Sequence, residues 1–284
     1  MQINMNEKLN FVFFGTPDVA SETLEILKQN NYIPSLIVTS PDKPQGRKML
    51  ITPPPVKVWA EKNNIKYIQP EKLDMANVRG EQNIIDFFLV VAYGKIIPEN
   101  ILNIPKLGSI NIHYSLLPKY RGASPVESAI LNGDSETGVA IQQMKYKMDA
   151  GPIIAQKKVK IFSDEKALEL RKRLIKIGGA LLVKTLPKFA NGKIKEVTQN
   201  EKEATFCKKI KKEDGLVNLT SEPPNVLYNK FRAYAFWPRI FFFQNSRRII
   251  ITDASLENNK FIIKKVLPEG KKEIKYEEFK KINI

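Results

Sequence analysis

The sequence predicts an α/β protein in which a doubly wound, mostly parallel sheet precedes a small β-rich domain. Three observations point there. Up to residue 161, continuous apolar runs alternate with segments of helical periodicity, the pattern of strands covered on both faces by helices. Ser163 to Phe189 then carries one long amphipathic helical stripe. The final stretch, roughly 70 residues, holds short β-rich runs with Lys- and Arg-bearing turns, which suit a small open barrel.

Taken in order, Leu9-Asn10-Phe11-Val12-Phe13-Phe14 is the first strand, ended by Gly15-Thr16-Pro17. A helix follows, with Val19, Leu24, Ile26 and Leu27 apolar and Glu22, Glu25 and Lys28 polar. Ser35 to Ser40 is the next buried strand and runs into the polar loop Pro41 to Leu50. Pro53-Pro54-Pro55 opens a helix through Val56, Val58 and Trp59, because proline suits a first turn. Asp86 to Tyr93, Gly108 to Tyr114, Gly138 to Met144 and Pro152 to Ile161 supply further strands. Ser124 to Leu131 reads as a short helix closed by Asn132-Gly133. Ser163 is the expected N-cap of the long helix, with Asp164 and Glu165 in its first turn. Ala233 to Phe243, Arg248 to Thr252 and Lys260 to Val266 are the β-rich runs of the last domain. The expected division is an N-terminal domain over residues 1–190, a linker over 191–207 and a C-terminal domain over 208–284.

Composition narrows the chemistry. The chain has 284 residues, one cysteine and one histidine. A single cysteine, Cys207, excludes an intrachain disulfide and any Cys-rich zinc or iron–sulfur site. The single histidine, His113, excludes a two-His metal triad, and no metal ligand set is expected. No apolar run approaches the ~20 residues of a membrane span, and no signal peptide is evident. A cytoplasmic monomer without membrane contact is the expectation. Lys+Arg number 46 against 30 Asp+Glu, a formal net charge of +16. An AT-biased genome produces such a Lys-rich chain without any selection for binding. Genome bias alone would spread the charge evenly, yet residues 1–155 hold 16 basic and 15 acidic side chains while residues 156–284 hold 30 and 15. The split points to a basic face in the second half, suited to a nucleic acid.

The strand Gly108 to His113 ends with Asn111 and His113, two residues apart and so on one face. At the carboxyl edge of a parallel sheet that face opens where ligands of α/β folds bind. Asp149 lies 36 residues beyond His113, at the turn-rich entry to a further strand. Alone, each residue fits a plain role: a satisfied histidine, a turn-making Asn, a turn Asp. Together, an amide donor, an imidazole and a carboxylate suit a tetrahedral intermediate. Imidazole titrates near neutrality, so it can give or take a proton there. Gly15-Thr16-Pro17 is no nucleotide-binding fingerprint, since neither a Gly-rich dinucleotide pattern nor a Gly-Lys-Ser/Thr loop follows it.

These residues bring a family into view. The chain resembles the formyltransferases that use 10-formyltetrahydrofolate, the methionyl-tRNA formyltransferases in particular. The likeness runs through Phe13 to Pro17, Val91 to Pro98, Ala129 to Asp134, Thr137 to Val139 and Met148 to Gly151. It is most specific at Asn111-Ile112-His113-Tyr114-Ser115-Leu116-Leu117-Pro118-Lys119-Tyr120-Arg121-Gly122. The resemblance implies a Rossmann-like formyltransferase domain followed by a shortened OB-like β-barrel domain that binds tRNA. It implies Asn111, His113 and Asp149 as the catalytic trio. Ser115, Leu116, Leu117 and Pro118 would form the folate-binding segment, with Tyr93, Gly94, Lys95, Ile96 and Ile97 lining the pterin pocket. The implied reaction moves a formyl group from 10-formyltetrahydrofolate to the α-amine of methionyl initiator tRNA, without a metal.

Fold and trio serve several amine acceptors, so accessory features must choose among them. The loop Pro41 to Leu50 resembles a basic insertion that contacts tRNA, which would use Lys43, Arg47 and Lys48. Lys208, Lys209 and Lys211, with Arg232, Arg239, Arg247 and Arg248, are the phosphate candidates of the last domain. Phe236 and Trp237 are expected to pack in its core, Cys207 to be a small buried residue, and Tyr114 to narrow the folate pocket. The alternative acceptor is a nucleotide-linked amino sugar, which gives no reason for the basic second half. A non-catalytic RNA-binding protein on a decayed fold would have lost the trio.

Overall fold

The structure of the chain, a computed structural model, describes residues 9–46, 48–79 and 84–281. In chain order its elements are β1 (Phe11–Gly15), α1 (Asp18–Gln29), β2 (Leu36–Val38), the hairpin β3 (Lys43–Gln45) and β4 (Leu50–Thr52), and α2 (Pro55–Lys62). Next come β5 (Tyr67–Ile68), α3 (Met75–Arg79), β6 (Phe87–Val91), α4 (Glu99–Leu102), β7 (Ser109–His113), β8 (Arg121–Gly122) and α5 (Pro125–Leu131). They are followed by β9 (Glu136–Gln143), β10 (Ile153–Lys160), α6 (Ala167–Ala190), β11 (Phe206–Cys207) and α7 (Pro224–Ala233). The chain ends in β12 (Phe241–Gln244), β13 (Arg247–Glu257), β14 (Lys260–Pro268), β15 (Ile274–Lys275) and α8 (Tyr276–Lys281). Two units form: one from Met1–Lys119, Gly138–Lys157 and Leu174–Ala204, the other from Tyr120–Thr137, Lys158–Arg173 and Thr205–Ile284.

The first unit is built on a seven-stranded sheet of order β10-β9-β7-β6-β1-β2-β5. From β5 to β7 all pairings are parallel, while β7 pairs β9 antiparallel. The mostly parallel sheet expected from the apolar runs is present, with an antiparallel margin. Every residue of β1 and of β6 is buried, as strands covered on both faces must be. Phe11 stacks on Phe87 at 5.0 Å, and Phe14 packs against Phe88 and Tyr93. After β1 the chain moves to β2 on one side and later returns to β6 on the other, so strand order reverses between β1 and β6. Ligands of open α/β sheets bind outside the carboxyl ends at such a point. Here the Thr16 hydroxyl donates to the Tyr93 carbonyl at 2.9 Å and lies 3.1 Å from the Ser40 hydroxyl. Gly15 permits this closeness, because a Cβ there would stand 2.6 Å from that of Ala20 and 3.0 Å from the Val91 carbonyl oxygen.

The long helix starts at Ala167, four residues after the Ser163 that the sequence offers as its cap. Glu169 accounts for the shift: its carboxylate accepts the Lys166 N–H at 2.9 Å, while Glu165 accepts that of Phe162 in the preceding turn. Gly178 and Gly179 let α6 approach Val139 and Ile26 closely.

In the second unit β12-β13-β14-β15 form an antiparallel meander that stands where the sequence suggests a small open barrel. Ala233 to Ile240 is not strand. Instead α7 occupies Pro224–Ala233, with proline in its first turn and Leu227 and Phe231 buried. Cys207 is buried on β11, which pairs with β8, and its Sγ accepts the Ser124 N–H at 3.3 Å.

Candidate active site

Strand register builds the site from the first unit alone. On β7, Asn111 and His113 share a face, and pairing sets Asn111 beside Val90 on β6 and beside Gln142 on β9. The Asn111 carboxamide donates one N–H to the Val90 carbonyl at 3.0 Å, and its Oδ1 lies 3.4 Å from the donating Gln142 Nε2. These two contacts fix which end of the amide is nitrogen, and they leave its second N–H for an incoming oxygen. Asp149 arrives from the loop between β9 and β10 in the left-handed region, φ 50°. Aspartate tolerates that conformation better than most residues. Its Oδ1 stands 3.7 Å from His113 Nδ1, the side chains being 16% and 7% exposed.

Two glutamines that sequence reasoning missed hold this arrangement. Gln142 is buried, and its Nε2 also donates to Asp149 Oδ1 at 2.9 Å. It therefore ties the amide of Asn111 to the carboxylate of Asp149. Gln199, also buried, donates to the Asp149 and Gly151 carbonyls at 2.8 and 2.7 Å. The signal for Gln142 was a polar residue ending the buried run Gly138 to Ile141. Its significance appears only once the antiparallel register faces it to Asn111. For Gln199, 50 residues from its partner Asp149, no local signal exists.

The other expected contacts fall in distinct surroundings. Ser115 is buried and its hydroxyl donates to the Lys119 carbonyl at 2.5 Å. The Leu116 side chain lies over Gly138, and the Leu117 carbonyl accepts from Gln156; Pro118 follows in a cis peptide. Tyr93 and Ile97 are core residues, Gly94 turns the chain at φ 78°, and Ile96 is 82% exposed. The Lys95 ammonium donates to the carbonyls of Pro70 and Glu71 and so fastens this turn. Tyr114 follows His113 on the alternate face, and its ring lies beside Gly178 of α6.

Of the phosphate candidates, Lys43 and Lys48 are exposed on the β3–β4 hairpin, and Arg47 lies outside the described residues. At the base of that hairpin Asp42 accepts from Gln69 and Lys57, contacts that lower its pKa in that order. Lys208, Lys209, Lys211 and Arg247 are exposed, whereas Arg248 is half-buried and stacks on Phe241 at 4.0 Å. Arg232 is a correction. It is buried, and its guanidinium donates to the Phe162 and Glu165 carbonyls and to Asn229, so it is spent inside the fold. Burial lowers its pKa. Phe236 and Trp237 are corrected in the opposite sense, for both are exposed instead of buried.

A family profile described as formyl transferase matches residues 8–186, and one described as formyl transferase, C-terminal domain, matches residues 209–274. A methionyl-tRNA formyltransferase of Sulfurihydrogenibium sp. is 38% identical over 87% of this chain and 80% of its own length. One from Staphylococcus aureus is 39% identical over 88% and 80%. This chain belongs to the formyl transferase family, among its methionyl-tRNA formyltransferases. The fold agrees with solved formyltransferases: that of Clostridium thermocellum, a methionyl-tRNA formyltransferase, superposes with a TM-score of 0.62 at 17% identity, covering 94% of this chain and 99% of the other. An N-formyltransferase from Helicobacter canadensis gives 0.66 at 21%, covering 88% of each. Within this formyltransferase, the Asn111–Gln142–Asp149–His113 cluster stands at the carboxyl end of β7, the edge at which open α/β sheets bind ligands.

Proposed function

We propose that the chain transfers the formyl group of 10-formyltetrahydrofolate to the free α-amine of methionyl initiator tRNA. The observation that carries the reading is the tied cluster of Asn111, His113 and Asp149, found in a chain whose relatives are methionyl-tRNA formyltransferases. The amine nitrogen attacks the formyl carbon, and the carbonyl π electrons move onto oxygen. The second N–H of Asn111 and a protonated His113 donate to that oxyanion. Asp149 faces the imidazole at 3.7 Å and assists removal of the ammonium proton. When the intermediate collapses, the C–N10 bond breaks and N10 of the folate takes up a proton. The products are the N-formyl amide and tetrahydrofolate.

Tyr93 to Ile97 and Ser115 to Pro118 follow the neighbouring strands β6 and β7, so they flank the cluster and are the segments assigned to the folate. Their chemistry suits a flat heteroaromatic ring: backbone amides at an irregular turn, Ala92 at φ 47° and Gly94 at φ 78°, beside leucine and isoleucine side chains. For the tRNA, the exposed Lys43, Lys48, Lys208, Lys209, Lys211 and Arg247 are assigned to phosphates, with Arg47 on sequence grounds. A cytoplasmic setting goes with this substrate. The test is direct. Purified protein, formyl-folate and charged tRNA are mixed, and the amino acid is then released by mild base and weighed by mass spectrometry. N-formylmethionine is expected. Formate release with unmodified methionine contradicts the reading.

A further inference from the structure

Phe236 is 74% exposed and Trp237 50%, although buried residues flank them closely in the chain. They stand at the tip of a turn that is well fixed. Tyr234 and Pro238 are buried on either side, and the Arg239 N–H closes the turn on the Tyr234 carbonyl at 3.0 Å. The backbone also passes so near Gly215 that a Cβ there would stand 2.2 Å from the Arg239 oxygen. A fixed turn that holds two aromatic rings in water is a surface built for contact. The pair forms a ridge. On one side is a cavity of about 370 Å³ lined by both rings, by Lys209 and by the ion-paired Arg171 and Glu127. On the other is one of about 360 Å³ that Phe236 shares with Lys166 and Arg239. Lys209 is exposed, the Lys166 ammonium lies over the Phe231 ring at 5.4 Å, and Arg239 helps to lower the pKa of Glu273. Each cavity is at the small end of the range for ligand sites, about 300–1,000 Å³.

We propose that the Phe236–Trp237 ridge is a stacking platform for an unpaired stretch of the RNA substrate, with Lys209 on one side and Lys166 and Arg239 on the other taking the phosphates. Aromatic faces with interleaved cations are how single-stranded nucleic acids are gripped without sequence readout. A protein partner would have to bury this excess of cations, whereas a polyanion neutralises it. The proposal rests on the reading of the chain as an enzyme that acts on tRNA.

The sequence supplies a probe, since it has only two tryptophans. Trp59 is 9% exposed with its indole N–H on Glu25, which leaves Trp237 as the solvent-facing fluorophore. In the W59F variant, a single-stranded ribotetranucleotide should quench the Trp237 emission saturably, and a blunt RNA duplex at equal phosphate should not. W237A in the otherwise unchanged chain should weaken tetranucleotide binding about tenfold, from the loss of one stacked base, with W237F restoring most of it. Unchanged emission, equal quenching by the duplex, or W237A binding within about twofold of the parent overturns the platform. Quenching that follows protein concentration without RNA also overturns it and identifies a second copy as the occupant. If the unmodified protein formylates methionyl-tRNA while these results fail, the platform alone is wrong; if formylation fails, the functional reading is.

Discussion

At Asn111 the carboxamide oxygen and one N–H are both occupied by the fold, so the remaining N–H is aimed without any cost of reorganisation during the reaction. Asn111→Asp would set a carboxylate against the Val90 carbonyl and remove the donor; kcat should fall about 100-fold or more in a formyl-transfer assay. His113→Ala should cost ~100-fold or more if the imidazole handles the proton, and an unimpaired variant would return His113 to a packing role. Gln142 touches no reacting atom in this account and acts by positioning. Gln142→Leu keeps the volume but leaves Asp149 Oδ1 without its 2.9 Å donor. Its kcat should drop about tenfold, the equivalent of one buried hydrogen bond, while the KM for tRNA stays within about twofold. A rise in KM at unchanged kcat would contradict that assignment.

Loops between strands carry the rest of the geometry, and there the sequence was hardest to read. The strands of the first unit were legible because continuous apolar runs such as Phe11–Gly15 and Phe87–Val91 leave little alternative to burial. Asn111 and His113 were legible from two-residue alternation. The Gln142 and Gln199 tethers were not, since the first depends on strand order and the second on a partner 50 residues away. Helix α7 was missed because aromatic and β-branched neighbours masked its helical spacing, and the exposure of Trp237 because apolar character normally means burial. The Asp149 loop makes its own prediction. A Cβ on Gly151 would stand 1.7 Å from the Gln143 carbonyl oxygen, so Gly151→Ala must displace the segment that carries Asp149. Misplacement on the order of 1 Å should lower kcat by about 100-fold, read beside a thermal melt that shows the protein still folded. In the second unit, burial first and then its 2.6 Å bond to Asp134 raise the Tyr120 pKa to about 12, and burial raises that of Tyr234 to about 12. A raised phenol pKa means that the folded chain holds its proton more tightly than the unfolded one. Stability from these groups is therefore intact below pH ~10 and is lost between pH ~10 and 12. Urea midpoints measured across that window should fall, and less steeply in Tyr120→Phe.

Across the whole chain, the charge asymmetry and the catalytic cluster ask for one substrate that offers both a polyanion and an amine. Residues 156–284 carry twice as many basic as acidic side chains, 30 against 15, and Lys208, Lys209 and Lys211 are exposed. Binding of tRNA should accordingly weaken by orders of magnitude between about 50 and 200 mM salt, as counterion release requires. A flat salt profile would make the charge a by-product of composition. The most direct measurement offers both amine classes to the enzyme at once. Formyl-folate labelled in its formyl group is supplied with equal concentrations of methionyl initiator tRNA and a nucleotide-linked amino sugar. Label is expected on the methionine amine and none on the sugar. Label on the sugar with the tRNA untouched would contradict it.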